Sequence, residues 1–192
     1  GVSIVPRGNS LYGIFPLKGK LLNTLDANQM KINSNAEIAN IKKIMGLVSG
    51  KAYTTKKDME NSLRYGKILI MTDQDLDGSH IKALCLNFFN SQWKDLFETE
   101  GFIGYMNTPI IKATKGNSVK QFYNENAYHK WKKEHNNAKG WKIKYYKGLG
   151  TSTANEFKEY MANKKVISFN CEGNEDIDSI DNKLEWFSAM KD

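Results

Sequence analysis

Residues 67–80 read KILIMTDQDLDGSH, an apolar run followed by three aspartates at alternate positions and a glycine. The apolar run, rich in Ile and Leu, is typical of a buried strand. Asp73 and Asp75 are expected to leave the end of this strand on the same side, with Asp77 following in the turn. A helix is expected to begin near Ser79, which would serve as its N-cap, so the aspartates occupy a strand-to-helix junction.

The spacing D-x-D-x-D-G is also how a calcium-binding EF-hand loop begins. An EF-hand closes its cage with a bidentate Glu at position twelve, and counting from Asp73 that position is Leu84. An EF-hand loop is also entered from a helix, whereas this one follows a predicted strand. Both differences exclude a calcium loop of this kind.

Clustered carboxylates need compensation for their mutual repulsion. Two of them about 4 Å apart repel by roughly 4 kcal/mol at an effective dielectric constant of 20. The cluster at Asp73, Asp75 and Asp77 therefore needs either full solvation or a divalent cation. Oxygen ligands of this kind suit Mg²⁺, which keeps several waters and shares its shell with substrate phosphates. The alternative interpretation is a solvated acidic turn that caps the next helix through its dipole.

Predicted strands and helices alternate along the chain. Helices are expected over residues 34–48, 79–97 and 124–135, and after the capping box formed by Thr153 and Glu156. Strands are expected in KILIMT, GFIGYM, PIIKATK, SVKQFYN, WKIKYY and VISFNCE. This order favours an α/β domain with a mainly parallel central sheet flanked by helices. In such sheets ligands collect beyond the carboxyl ends of strands, where the aspartates lie.

Charge is distributed unevenly over the 192 residues, whose net charge is +7. Residues 128–147 contain seven Lys against one Glu, interleaved with aromatic residues, whereas residues 172–192 contain seven acidic residues against two Lys. A basic segment with aromatics favours a polyanionic partner such as DNA. A solvated Lys-rich helix face beside core Trp and Tyr residues explains the pattern equally well, and both interpretations stay open.

Two further features bound the class of protein. The longest apolar run, ILIM, is far shorter than the roughly 20 residues of a membrane span, so no membrane partner is expected. Cys85 and Cys171 fit no metal-binding spacing and are expected to be reduced thiols in an intracellular protein. The chain begins at Gly1 without a Met and is expected to be a piece of a longer protein.

The stretch RYGKILIMTDQDLDGSHIKAL resembles the Toprim metal motif of type IIA DNA topoisomerases, with Gln74 as in the eukaryotic form. Further blocks resemble the same family in the same order: YGIFPLKGKLLN (12–23), NAEIANIKKIMGL (35–47), KYYKGLGTST (144–153) and DNKLEWF (181–187). The resemblance implies a Toprim, Rossmann-like domain over residues 1–170 that serves in metal binding and DNA cleavage. Residues 171–192 are then an acidic linker or helix leading toward a winged-helix domain.

The resemblance implies that Asp73 and Asp75 hold Mg²⁺ and that Asp77 supports them, with Mn²⁺ or Ca²⁺ as substitutes. In this family two metal ions flank the scissile phosphate while a tyrosine attacks it. That tyrosine lies in the winged-helix domain, and the catalytic glutamate lies in an E-G-D-S-A block. Both are expected outside this chain, so no catalytic residue of either kind is expected within it. Lys144, in WKIKYY, is given no chemical role.

The resemblance also implies DNA contacts in the first block. The Lys and Asn of the family's PLRGKILN match Lys20 and Asn23. The Arg of that block is Lys18 here, which keeps the charge but loses the bidentate fork.

Further DNA contacts are expected elsewhere in the chain. His80 and Lys82 follow the aspartates closely enough to reach a phosphate, with a helix-capping role as the alternative for His80. Lys147, in YKGLG, is expected near the site or, alternatively, is a strand-end lysine beside a glycine turn. Lys183 keeps one charge of the Arg-Lys pair in the family's DDRKEWL.

The function implied is that of the Toprim part of an ATP-dependent type II topoisomerase that cleaves and religates double-stranded DNA. Its complete form is expected to be a homodimer that binds ATP in another domain, in the nucleus or at a viral or cytoplasmic replication site. Two alternatives remain: another Toprim enzyme such as a nuclease, against which PLKGK and YKGLGTST argue, and a catalytically incomplete Toprim DNA-binding module.

Overall fold

The computed structural model describes residues 11–168, which divide into two compact units. The helical unit comprises residues 14–70, 77–105 and 166–168, and the hairpin unit comprises residues 11–13, 71–76 and 106–165. The predictions for Lys183, for Cys171 and for the acidic linker lie outside the described residues.

The helical unit contains most of the helices. In chain order its elements are α1 (Gln29–Ser34), α2 (Ala36–Met45), α3 (Lys56–Ser62), β1 (Ile68–Ile70), α4 (Leu76–Gln92), α5 (Lys94–Glu98), β2 (Ile103–Met106) and β6 (Val166–Ser168). Strand β2 is central in a three-stranded sheet of order β1-β2-β6. The β1–β2 pair is parallel, with Ile68 opposite Ile103 and Ile70 opposite Tyr105. This pair is the parallel sheet that the alternation of elements predicts.

The core of the helical unit is apolar and surrounds the middle of α4, where residues 83–89 are all buried. Its most deeply buried side chains include Ile32, Ile38, Tyr53, Phe88, Leu96 and Ile103. Phe88 and Trp93 meet edge to face with ring centroids 5.4 Å apart. Full burial of one such side chain stabilises the fold by about 1.5–3 kcal/mol. This packing, rather than helix propensity, stabilises the long α4.

The helix expected over residues 79–97 differs from the structure at its start and near its end. It begins at Leu76, so Ser79 is not its N-cap and Asp77 lies in its first turn. An acidic residue there is stabilised by the helix dipole. The helix is also interrupted at Trp93, whose backbone is not helical and whose indole N–H donates to the Val48 carbonyl at 2.9 Å. That long-range bond has no local sequence signal.

The hairpin unit is built on an antiparallel sheet. Its elements are β3 (Ile111–Lys115), β4 (Ser118–Phe122), α6 (Glu125–Glu134), β5 (Lys142–Tyr145), α7 (Ala154–Ala162) and two 3-10 turns at Asn136–Ala138 and Leu149–Thr151. The strand order is β4-β3-β5, and both pairs are antiparallel. Gly116 and Asn117 join β3 to β4, because two residues suffice for a hairpin. The α/β class is confirmed, and this antiparallel sheet adds to the parallel one.

The two faces of the antiparallel sheet carry different helices. On one face, α6 covers Ile111, Ala113 and Phe122 with Tyr128 and Trp131. On the other face, Lys112 and Gln121 contact Glu159 of α7.

Helix caps explain the start of several elements. The predicted capping box of Thr153 and Glu156 opens α7. A second box, Thr55 with Asp58, opens α3 within the polar stretch 49–66, where no helix is predicted. The pattern T-x-x-D was its signal. Among the helices of residues 11–168, none is both long enough and apolar enough to cross a bilayer.

Candidate metal and DNA site

Asp73 follows β1 by three residues and is half-buried in the hairpin unit. Its Oδ1 accepts a hydrogen bond from the backbone N–H of Leu149 at 2.7 Å. Leu149 belongs to the KGLG motif, residues 147–150, which follows β5. Hydrogen bonds to ionised groups contribute about 1.5–3 kcal/mol. The first aspartate of the motif is therefore held by a backbone donor that lies 76 positions further along the chain.

Gly148 makes this approach sterically possible. A Cβ placed on Gly148 would lie 2.7 Å from Oδ2 and 2.9 Å from Oδ1 of Asp73. Its φ of 167° is extended backbone that any residue adopts, so space rather than conformation requires glycine here. Gly148 and Leu149 together form a cradle for the Asp73 carboxylate. The sequence blocks contain both residues, but spacing alone does not reveal the contact.

The other two aspartates are more exposed. Asp75 lies on the surface, and Asp77 forms an ion pair with Lys20, with Nζ and Oδ1 3.0 Å apart. Both side chains of this pair are mostly exposed, so the pair contributes about 0–1 kcal/mol. Within residues 11–168, no group of three or more His, Cys, Asp or Glu side chains is arranged to hold a metal ion.

The chemistry of these residues nevertheless fits a magnesium ion. A carboxylate offers about four lone-pair positions, and the Leu149 N–H occupies one of those on Asp73. Mg²⁺ is usually bound through one or two carboxylates, with waters and substrate phosphates completing its shell. Asp73, which is oriented, and Asp75, which is open to solvent, supply such a donor set.

The residues of the first predicted DNA block differ in how deeply they are buried. Lys18 and Lys20 are exposed, whereas Asn23 is buried and only 8% accessible. The Asn23 side chain donates to Asp26 at 3.0 Å and accepts from the Asn87 amide at 2.8 Å. Because its amide is engaged inside the unit, Asn23 holds the loop in place rather than offering a free group to DNA.

The lysines and histidine after the aspartates also differ in placement. His80 is half-buried in the second turn of α4, four residues after the helix begins. Lys82 places its ammonium 4.6 Å from the centre of the Tyr105 ring, a cation–π contact. Lys147 is exposed and directly precedes Gly148 of the cradle.

In the basic segment 128–147, the burial of two aromatic residues supports the interpretation that they belong to the core. Tyr128 and Trp131 are buried in the core of the hairpin unit. Lys130 and Lys133 of the same helix are exposed. Tyr128 and Trp131 therefore pack against the sheet, whereas these lysines, together with Tyr145 of the same segment, are presented to solvent.

Glu156 is the centre of a polar cluster that the sequence did not predict. Its carboxylate accepts from the Tyr146 hydroxyl at 2.6 Å, from Lys144 Nζ at 2.9 Å and from the Thr153 N–H at 2.8 Å. Burial favours the neutral acid, but these bonds prevail and lower the Glu156 pKa from 4.5 to about 2. Burial and the bond to Glu156 raise the pKa of Tyr146. Lys144, for which no chemical role is predicted, thus has a structural role.

Glu156→Gln should destabilise the chain by about 1–3 kcal/mol at neutral pH, because the charged acceptor of three donors is lost. Since the folded pKa is lowered, this stabilisation is present above about pH 4.5 and is lost as the pH falls toward about 2. Urea unfolding of both variants across that range measures the difference. The exposed Glu134→Gln is the control, and a difference that does not change with pH would contradict the assignment.

Comparison with known proteins gives matches along almost the whole chain. The Toprim domain family model matches residues 7–107, and the model for the C-terminal associated domain of TOPRIM matches residues 106–190. The chain is 47% identical to DNA topoisomerase 2-beta of Gallus gallus, over 94% of the chain and 12% of that protein. It is 48% identical to DNA topoisomerase 2 of Acanthamoeba polyphaga mimivirus, over 88% of the chain and 13% of that protein.

A solved structure gives the same result. The fold matches the crystal structure of the Plasmodium falciparum topoisomerase II DNA-binding, cleavage and re-ligation domain with a TM-score of 0.82 and 48% identity. The match covers 94% of this chain and 24% of that one. The chain therefore spans only a small part of these relatives, and the predicted resemblance to eukaryotic and viral topoisomerase II is confirmed. With residues 7–107 matched and the aspartate motif placed after β1, the chain belongs to the Toprim domain family.

Proposed function

We propose that the chain is the Toprim part of the DNA breakage-reunion core of an ATP-dependent type II topoisomerase. In the complete enzyme it would take part in transient cleavage and religation of double-stranded DNA. The observation that carries the proposal is the Asp73 carboxylate, held after β1 by the Leu149 N–H at 2.7 Å. The names of the relatives, DNA topoisomerase 2 from animals and a virus, support it.

In this proposal Asp73 and Asp75 bind Mg²⁺, and Asp77 is the third carboxylate by its spacing. Mn²⁺ and Ca²⁺ are substitutes with the same oxygen preference. A bound ion would supply charge stabilisation for a phosphate at the moment of cleavage. The chain itself contributes orientation, because the cradle of Gly148 and Leu149 fixes Asp73 before an ion arrives.

DNA would be held by lysines that reach its phosphates. Lys18, Lys20 and Lys147 are exposed and suit this role. His80 and Lys82 remain proposed contacts, as does Lys183, which lies outside the described residues. For Asn23 the burial of its amide supports loop positioning instead of a direct contact.

The remaining parts of the proposal concern the whole protein. The complete enzyme would be a homodimer, would hydrolyse ATP in a domain other than this one, and would act in the nucleus or at a viral or cytoplasmic replication site. Animal and viral relatives support these locations.

One assay separates the proposal from its two alternatives. A topoisomerase forms a covalent protein–DNA adduct in the presence of Mg²⁺ and reseals the DNA. A Toprim nuclease cuts DNA without a reversible adduct, and a DNA-binding module does neither. Adduct formation by the complete enzyme, reversed when Mg²⁺ is chelated, is the expected result.

Lys20→Ala should weaken DNA binding and reduce the magnitude of the log–log salt slope by about 1, because each phosphate contact releases a counterion. Fluorescence anisotropy with duplex DNA at several salt concentrations measures the slope. Lys57→Ala is the matched control, since Lys57 is also exposed in the helical unit but lies in α3. If both variants keep the original slope, the phosphate contacts lie elsewhere, and the exposed lysines of α6 become the next candidates.

A further inference from the structure

We propose that Glu156 is a positioning residue: it fixes residues 147–152 so that Gly148 and Leu149 hold the Asp73 carboxylate in one orientation. This inference rests on the proposed function, in which Asp73 is a metal ligand. Glu156 lies in α7 and acts through the intervening segment. Glu156, residues 147–152 and Asp73 all lie within the hairpin unit.

A single carboxylate holds both ends of this segment. At the start, the Tyr146 hydroxyl donates to Glu156 Oε1 at 2.6 Å. At the end, the Thr153 N–H donates to Glu156 Oε2 at 2.8 Å. Because both donors converge on one side chain, the two ends of residues 147–152 keep a fixed separation. The start is also fixed to β3, since the Tyr146 N–H donates to the Ile110 carbonyl at 2.9 Å.

The segment between these ends is internally bonded. The Thr151 N–H donates to the Gly148 carbonyl at 3.1 Å, and the Ser152 N–H donates to the Leu149 carbonyl at 3.2 Å. The Thr151 hydroxyl adds a bond of 2.7 Å to the same Gly148 carbonyl. These bonds form a single 3-10 turn that links the two ends of the segment. A displacement at either end therefore reaches the Leu149 N–H.

This arrangement fixes the orientation of the Asp73 carboxylate. The Leu149 N–H lies 2.7 Å from Oδ1, and Gly148 leaves no room for a Cβ beside the carboxylate. Mg²⁺ demands near-ideal octahedral geometry, so its affinity depends on how well its ligands are oriented. Partners behind a ligand usually change metal affinity by about 10–100-fold when removed.

The contacts at Glu156 go beyond what capping a helix requires. In the capping box of α3, Asp58 accepts from the Thr55 N–H at 3.0 Å, which satisfies the free donor at the helix start. Glu156 makes the equivalent contact and also binds Tyr146 and Lys144 from the β5 side. The additional donors connect the end of the strand to the start of the helix, on either side of the cradle.

Tyr146→Phe in the complete enzyme is the main test, because it removes one hydroxyl and leaves the capping box intact. Hydrogen exchange, measured by mass spectrometry without metal, should be about fivefold faster in residues 147–152. The Mg²⁺ concentration for half-maximal adduct should rise about fivefold, while the adduct at saturating Mg²⁺ stays near normal. Tyr145→Phe removes a hydroxyl from an exposed ring on the other face of the sheet and should change neither quantity. Glu156→Gln should give the larger effect on both.

Each outcome decides the inference. Unchanged exchange in Tyr146→Phe overturns it, because the segment would then be fixed without Glu156. Faster exchange with an unchanged Mg²⁺ midpoint also overturns it, since the segment would then not orient a metal ligand. So does an equal loss of adduct at every Mg²⁺ concentration, which indicates general destabilisation. A failure of the proposed function can be distinguished from a failure of this inference. It would appear as normal adduct formation in Asp73→Asn, whatever the hydrogen exchange of Tyr146→Phe shows.

Discussion

Asp73→Asn in the complete enzyme should reduce Mg²⁺-dependent formation of the covalent protein–DNA adduct by about two orders of magnitude or more. Asn keeps the shape of the side chain and can still accept from the Leu149 N–H, so the cradle stays intact. What is lost is the negative charge that binds the cation. The assay compares adduct yield, DNA affinity and ATP hydrolysis in the same preparations.

DNA binding and ATP hydrolysis show whether the loss of adduct formation is specific to the metal site. Hydrolysis of ATP in a separate domain should persist, and DNA should still bind through the lysines. Glu134→Gln is the matched control, because it removes one exposed carboxylate charge from the same unit. It should leave adduct formation unchanged. A near-normal adduct yield in Asp73→Asn would show that the aspartate motif is not the cleavage site.

Gly148→Ala should reduce adduct formation at low Mg²⁺ by about tenfold or more. The new methyl group would lie 2.7 Å from the Asp73 carboxylate, so either the side chain rotates or the Leu149 N–H bond breaks. The extended backbone at Gly148 accepts alanine, so the fold should be retained. Titration of Mg²⁺ against adduct yield measures the effect.

Gly150, in the same KGLG motif, provides the matched control for Gly148. A Cβ on Gly150 would meet no atom within 4 Å, so Gly150→Ala should behave like the unmodified enzyme. Equal behaviour of the two alanine variants would mean that the close approach at Gly148 has no effect on the metal site. Circular dichroism of both variants verifies that the fold is preserved.

Local patterns predicted the elements that local forces determine. The apolar run of β1, the capping box of α7 and the two-residue turn between β3 and β4 each have signals within a few residues. The placement of the aspartates after β1 followed from the same kind of pattern. The start of α4 was misplaced by three residues, because a serine after a glycine resembles an N-cap even inside a first turn.

Contacts between distant residues were beyond the reach of local patterns. Asn23 was predicted to bind DNA, but a partner 64 positions away, Asn87, engages its amide inside the fold. Lys144 was given no chemical role, and its contact with Glu156, 12 positions away, was not predicted. The cradle around Asp73 is of the same kind. Spacing identifies residue types suited to metal binding, whereas the groups that orient them come from elsewhere in the chain.

The distance in sequence between Asp73 and Leu149 has a consequence for the order of folding during synthesis. Residues 71–76 leave the ribosome before the segment that holds them, and Leu149 follows Asp73 by 76 positions. At about 5–20 residues per second, the aspartate waits roughly 4–15 seconds for its backbone donor. Such a non-local bond is expected to form late, after the local helices and hairpins. A nascent chain halted before the KGLG motif would therefore carry all three aspartates, but Asp73 would lack the group that orients it.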